Sequence, residues 1–229
     1  MKRALNWVVI TIITAITVVI IYNIGINFNR VINCKASVDK ENILQYVEFV
    51  GEVSEINKTS VEKMLLEEVS EEALSYVINS GGKIVVVYNE NRDVREYINE
   101  TYNFSIPKSK YGIDGITIPY RDIFGNLVKT DVVVYCNGIL VGDLGHEMGH
   151  VYDLTHGNMS KTNEFNEIYN NKENISKKAM YYVNDSISYL ESTPQEYFAE
   201  LYKRYCRGEF KKGTNDETDS VIEYFERIV

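Results

Sequence analysis

Residues 144–154 read LGHEMGHVYDL, and this stretch decides how the rest of the chain is interpreted. Its apolar residues recur at helical spacing, which predicts an amphipathic helix. His146 and His150 are four residues apart, so both imidazoles lie on one face of that helix, one turn apart. Two imidazoles so placed can bind one zinc ion, whereas Glu147 flanks the metal without binding it. We therefore predict a site for one Zn²⁺ ion, with Glu147 as the general base of a metallopeptidase.

A third protein ligand is needed, because catalytic zinc usually keeps three protein ligands. One candidate is His156, which stands ten residues after His146, as the third histidine does in metzincins. Asp153 occupies the place where that pattern normally has a glycine for the sharp turn of the chain. The other candidate lies in residues 193–200 (TPQEYFAE), where Glu196 and Glu200 share one face of a predicted helix. One of these glutamates can bind the metal, and the other can orient a ligand histidine.

The remaining elements place this motif in an α+β fold, with a small mixed β-sheet, N-terminal helices, an active-site helix and a C-terminal helical half, as in zincins. The segment from Asp131 to Cys136 (DVVVYC) is predicted to be an edge strand that pairs with an extended substrate. Helices are predicted from Asp39 through Val50, from Ser60, after Ser70 as far as Gly81-Gly82, and over Arg92–Tyr102, Leu144–Leu154, Lys161–Asn171, Thr193–Tyr205 and Asp219–Ile228. Further strands are predicted at Lys83–Tyr88 and Ile116–Tyr120, with a turn near Gly125-Asn126.

The N-terminus predicts a membrane segment, because an uncharged apolar stretch of about 20 residues from Trp7 to Ile26 could span a bilayer. We expect residues 1–27 to be a signal anchor, with a cleaved signal peptide as the alternative. Lys2 and Arg3 precede the stretch and favour an N-terminus inside the cell. Residues 28–40 are then a juxtamembrane linker, and residues 41–229 form the metallopeptidase domain. This domain is expected outside the cell at the membrane, or secreted if the segment is cleaved.

Composition excludes some partners. The chain has 24 basic and 33 acidic residues and a net charge of −9, which argues against nucleic acid as a partner. We expect a monomer that acts on a peptide or protein.

The three cysteines, Cys34, Cys136 and Cys206, are too few and too widely spaced for a disulfide framework, although one bridge between Cys136 and Cys206 stays open.

Residues 146–153 (HEMGHVYD), followed by Tyr189 and by residues 196–200 (EYFAE), resemble the catalytic domain of anthrax lethal factor. They are similar also to the smaller secreted Pro-Pro endopeptidases of clostridia. The resemblance covers residues 142–205, and more loosely the helix, Gly-Gly and strand that end at Tyr88. It implies zinc ligation by His146, His150 and Glu196, with Tyr189 as the hydroxyl that stabilises the oxyanion and with Glu200 and Asp153 beside the ligands.

The sequence therefore predicts a zinc-dependent metalloendopeptidase that hydrolyses an extracellular protein substrate. Whether that substrate is proline-rich stays open, because the residues that set specificity cannot be aligned. Two alternatives also stay open. One is a metzincin-like peptidase that uses His156, and the other is a membrane-anchored protein-binding module that has lost catalysis.

Overall fold

The computed structural model describes residues 38–102, 106, 113–178 and 192–229. In this part of the chain, eight α-helices surround a small mixed sheet of four strands, as the predicted α+β class requires. The strands are β1 (Val47–Val50), β2 (Ile84–Tyr88), β3 (Gly115–Arg121) and β4 (Leu127–Cys136). The helices are α1 (Glu55–Glu67), α2 (Glu71–Asn79), α3 (Arg95–Thr101), α4 (Leu144–Thr155), α5 (Asn163–Asn170), α6 (Lys172–Lys178), α7 (Pro194–Cys206) and α8 (Asp216–Ile228).

The strand order is β1-β2-β4-β3, and this order corrects the predicted substrate strand. β1, β2 and β4 run parallel, whereas β3 pairs with β4 in the antiparallel direction. The predicted edge strand Asp131–Cys136 belongs to β4, which lies between β2 and β3 and therefore has no free edge. The three valines 132–134 are all buried, as expected for a strand that is covered on both faces. Among the strands of the described ranges, the one at this edge of the sheet is β3.

The two faces of the sheet pack against different helices. Val132 and Val134 point into the main core, which also contains buried residues of α1, α2, α4, α7 and α8. Val133, between them, points to the opposite face and packs in a smaller cluster with Val94 and Ile98 at α3. α4 therefore lies on the main-core side of the sheet, and this side carries the candidate site.

Side-chain caps explain where several helices begin. Ser54 and Ser70 accept hydrogen bonds from the third residues of α1 and α2, and Asn215 does the same for α8. The predicted start after Ser70 is confirmed. α1 begins at Glu55, directly after its cap Ser54 and five residues before the predicted start at Ser60. The prediction was late because Ser54 was not recognised as a helix cap in the sequence.

The predicted helix from Asp39 through Val50 is wrong. Residues Ile43–Tyr46 form one 3-10 turn, and Val47–Val50 form β1. The apolar spacing of three and four residues suggested a helix, but Val47 pairs with Ile84 across the sheet. That pairing joins residues far apart in the chain, so local periodicity could not indicate it.

The cysteine and membrane predictions have different outcomes. Cys136 and Cys206 are both free thiols, so the predicted bridge between them is wrong. Burial raises the pKa of each thiol to about 11.

The described residues do not include Cys34, the segment 1–27 or nearly all of the linker 28–40. None of the helices in the described ranges has the length and apolar character needed to cross a membrane.

Candidate metal centre

α4 and α7 cross in close contact, and this contact creates the site. Gly149 on α4 faces Ala199 on α7 so closely that a Cβ atom at Gly149 would lie 2.7 Å from the Ala199 Cα. Only glycine permits this approach of two helix backbones. His146 and His150 flank Gly149 along α4, and Glu196 precedes Ala199 by one turn of α7, so the contact brings the three side chains together.

The three side chains have the geometry of a metal-binding triad. One possible ligand atom from each of His146, His150 and Glu196 lies within 4.8 Å of the other two. Glu196 Oε2 is 3.0 Å from His146 Nε2 and 3.6 Å from His150 Nε2. Ligand atoms around a tetrahedral zinc ion are roughly 3.3 Å apart, as follows from zinc–ligand bonds of about 2.0–2.1 Å. Two of the three separations are therefore close to this spacing, and the triad could hold one metal ion.

The two helices that carry the triad are both capped at their first turns. The Asp143 carboxylate caps α4 by accepting from the His146 backbone N–H at 3.0 Å. Thr193 Oγ1 caps α7 by accepting from the Glu196 backbone N–H at 3.2 Å, and Pro194 occupies the first turn. His146 and Glu196 are thus each the third residue of a capped helix, a position with a well-defined backbone.

The charge state of the metal-free triad follows from its contacts. Burial alone would lower the pKa of His146, but the carboxylates of Glu196 and Glu200 outweigh burial and raise it to about 10. Burial tends to raise the pKa of Glu196, but His146 and His150 hold it well below its usual range. Without metal, the His146 imidazole is therefore a cation paired with the Glu196 carboxylate at neutral pH.

Glu200 lies behind His146 and belongs to an ionic network. Its side chain is only 1% exposed, and it accepts from Lys203 Nζ at 2.7 Å and from Arg204 Nε at 2.6 Å. Lys203 also binds the Asp143 carboxylate at 2.6 Å, so this network connects α7 to the first turn of α4. Glu200 Oε2 is 3.7 Å from His146 Nδ1, a buried nitrogen that has no hydrogen-bond partner among the described residues. A small shift would let His146 donate to Glu200, as ligand histidines commonly do to carboxylates.

Glu147 is buried beside the triad on the side of the sheet. Glu147 is only 8% exposed, and Thr117 Oγ1 on β3 lies 2.7 Å from Glu147 Oε2. Burial raises the pKa of the Glu147 carboxyl, and the nearby His150 and His146 partly oppose that rise. A buried carboxyl with a raised pKa keeps its proton to a higher pH than an exposed carboxyl does.

The other predicted site residues have different positions. The His156 ring stacks on Tyr152 and its Nε2 lies 3.1 Å from Glu72 Oε1 on α2, so the structure brings Glu196 and not His156 to the two histidines. Both oxygens of buried Asp153, one turn past His150, accept hydrogen bonds from Ser160. Tyr189 lies outside the described residues.

Sequence reasoning missed three residues that hold the site. Asp143 could have been recognised, because an aspartate three residues before His146 is a normal helix cap. Lys203 gave no comparable signal, since a lysine on a helix is usually solvated. Thr117 gave none either, because its contact with Glu147 depends on how β3 pairs with β4.

The arrangement defines a class of site: a triad of two histidines and one glutamate that can hold one metal ion, with a buried carboxylate beside it.

No protein-family model matches the chain, and no curated protein matches it either. Among solved structures, the chain is similar to the Pro-Pro endopeptidase PPEP-2 from Paenibacillus alvei. The two are 20% identical with a TM-score of 0.49, and the match covers 81% of this chain and 98% of that chain.

Proposed function

We propose that the chain is a zinc-dependent metalloendopeptidase, with His146, His150 and Glu196 as the zinc ligands and Glu147 as the general base. The observation that supports this proposal is the convergence of the three ligand atoms within 4.8 Å of one another, next to a buried carboxylate. The sequence resemblance to the lethal-factor and Pro-Pro endopeptidase group is consistent with it. No described contact of His156 favours the metzincin-like alternative.

The donor set favours zinc over calcium or magnesium, because imidazole nitrogen suits zinc and related transition metals. Held by His146, His150 and Glu196, a zinc ion would polarise the scissile carbonyl and lower the pKa of a bound water to about 7. The protein supplies the arrangement around it. Glu200 orients His146, and Lys203 and Arg204 keep the Glu200 carboxylate in place and ionised.

Glu147 takes the proton from the attacking water and later gives it to the leaving amine. The Tyr189 hydroxyl donates a hydrogen bond to the oxyanion of the tetrahedral intermediate and so stabilises it. An extended substrate pairs with β3, the edge strand that contacts Glu147 through Thr117. This assignment replaces the earlier prediction for Asp131–Cys136.

The proposed substrate is a protein outside the cell, and proline-rich segments are the first sequences to test because of the sequence resemblance. Residues 1–27 hold the domain at the outer face of the membrane, or direct its secretion if they are removed. The enzyme acts as a monomer.

The experiment compares the purified full-length chain with the Glu147→Gln variant on a peptide library that includes proline-rich members. The wild type is expected to cleave peptides internally, to stop on chelation and to recover with zinc. Glu147→Gln should bind zinc normally and lose about 10²- to 10⁴-fold in kcat, because the proton acceptor is gone. Glu100→Gln, at an exposed glutamate of α3, is the matched control and should be fully active. Absence of chelator-sensitive cleavage by the wild type would leave a metal-binding module.

A further inference from the structure

Two residues on one face of β3, Gly115 and Thr117, form a cradle for the Glu147 side chain. Gly115 and Thr117 are two residues apart on a strand, so they face the same side of the sheet. They pair with Val134 and Val132, whose side chains lie in the main core on the α4 side. The Gly115–Thr117 cradle, named here for these two residues, therefore faces α4.

Thr117 makes the polar contact of the cradle. Its Oγ1 atom lies 2.7 Å from Glu147 Oε2 and 2.9 Å from the Glu147 backbone carbonyl oxygen. A hydroxyl has one hydrogen to donate and can also accept. When Glu147 is ionised, the hydroxyl donates to its carboxylate. When Glu147 carries the proton, the carboxyl can donate to Thr117 Oγ1 while the hydroxyl turns to the carbonyl oxygen.

Gly115 supplies the space of the cradle. A Cβ atom at this position would lie 2.9 Å from Glu147 Cγ and 3.0 Å from Glu147 Oε1. It would also lie 3.0 Å from Val134 Cγ1, so a larger residue has little room to move away. The glycine therefore lets the Glu147 carboxyl lie against the edge strand, within reach of Thr117.

From these contacts we infer that Thr117 is a positioning residue for Glu147, and that Gly115 provides the space in which Thr117 holds that carboxyl in one orientation. The inference rests on the proposed function, because it assigns a partner to the base of that reaction. Its consequence is that the substrate-binding edge and the catalytic base are connected by one side chain.

The test compares Thr117→Val and Thr117→Ser with the wild type, as full-length, zinc-loaded proteins on the best peptide from the library. Valine keeps the shape and removes the hydroxyl, so kcat should fall about 10- to 100-fold, the effect of losing a hydrogen bond to a charged group. KM should change less than about twofold, and zinc content should stay at one ion per chain. Serine restores the hydroxyl and should recover kcat to within about threefold of the wild type. Gly115→Ala should lower kcat at least as far as Thr117→Val.

Thr130→Val is the matched control, because the buried Thr130 hydroxyl on β4 has no hydrogen-bond partner within the part of the chain that the structure describes. It should leave kcat unchanged. Wild-type kcat in Thr117→Val, or a Thr117→Ser variant as impaired as Thr117→Val, would overturn the inference.

Crystal structures of the zinc-loaded wild type and of Thr117→Val separate this inference from the proposed function. A Glu147 carboxylate that turns away from β3 in Thr117→Val supports the inference, whereas an unmoved carboxylate overturns it. Absence of cleavage by the wild type overturns the proposed function instead, and the two structures still show whether Thr117 holds the carboxyl.

Discussion

The contact between Gly149 and Ala199 should control zinc binding more than it controls folding. In Gly149→Ala, the new Cβ would lie 2.7 Å from Ala199 Cα and 2.8 Å from Ala199 O, both backbone atoms that cannot rotate away. Ordinary van der Waals contact begins at 3.4 Å, so the helices must separate by about 0.7 Å (3.4 − 2.7). Zinc–ligand distances tolerate only about 0.2 Å. The separation therefore exceeds what the triad can absorb without loss of affinity.

The expected magnitudes differ for the two properties. Overpacking of this kind costs about 1–3 kcal/mol, and alanine recovers about 0.5–1 kcal/mol in a helix interior, so the metal-free fold should survive. We expect zinc affinity to fall about 10- to 100-fold, because Glu196 on α7 is moved away from the two histidines on α4. Zinc affinity is measured by competition with a chelating dye, and the free energy of unfolding by urea denaturation of the metal-free protein.

Gly138→Ala is the matched control, because a Cβ atom at Gly138 would meet no atom of the described ranges within 4 Å. This variant should match the wild type in both measurements. If Gly149→Ala bound zinc as tightly as the wild type, the helix contact would not set the geometry of the triad.

Three further predictions concern the triad and the base. Glu196→Ala should lose stoichiometric zinc, whereas His156→Ala should keep it, as measured by metal analysis; the reverse result would favour the metzincin-like ligand set. Zinc binding should release about one proton more at pH 7.5 than above pH 10, because His146 is protonated in the metal-free protein with its pKa raised to about 10 and must be neutral to bind metal. Calorimetry in buffers of different ionisation enthalpy measures this difference; the same proton release at both pH values would contradict it. Tyr189→Phe should lower kcat about 10²- to 10³-fold with zinc content unchanged, and wild-type kcat would remove Tyr189 from the mechanism.

The sequence predicted best the parts of the site that depend on local structure. His146 and His150 share a helix face whatever the rest of the chain does, and Thr193 with Pro194 indicated where α7 begins. The choice of Glu196 over His156 came from the resemblance, not from periodicity. In the structure, the contact of α4 with α7 places Glu196 beside the two histidines.

Predictions that depended on pairing distant segments failed. Val47–Val50 was assigned to a helix because its partner, β2, is more than 30 residues away in the chain. β4 was taken for the edge strand because no local pattern reveals that β2, more than 40 residues earlier in the chain, pairs with its other side. For the same reason, no local pattern could place Thr117 against Glu147.

X-ray absorption at the zinc K-edge of the purified, zinc-loaded full-length chain tests the central claim most directly. We expect an inner coordination shell of nitrogen and oxygen at about 2.0–2.1 Å, with the scattering of two imidazoles and a carboxylate. Glu196→Ala should abolish the carboxylate contribution or the bound zinc itself. A shell with three imidazoles, or with sulfur, would contradict a zinc centre built by His146, His150 and Glu196.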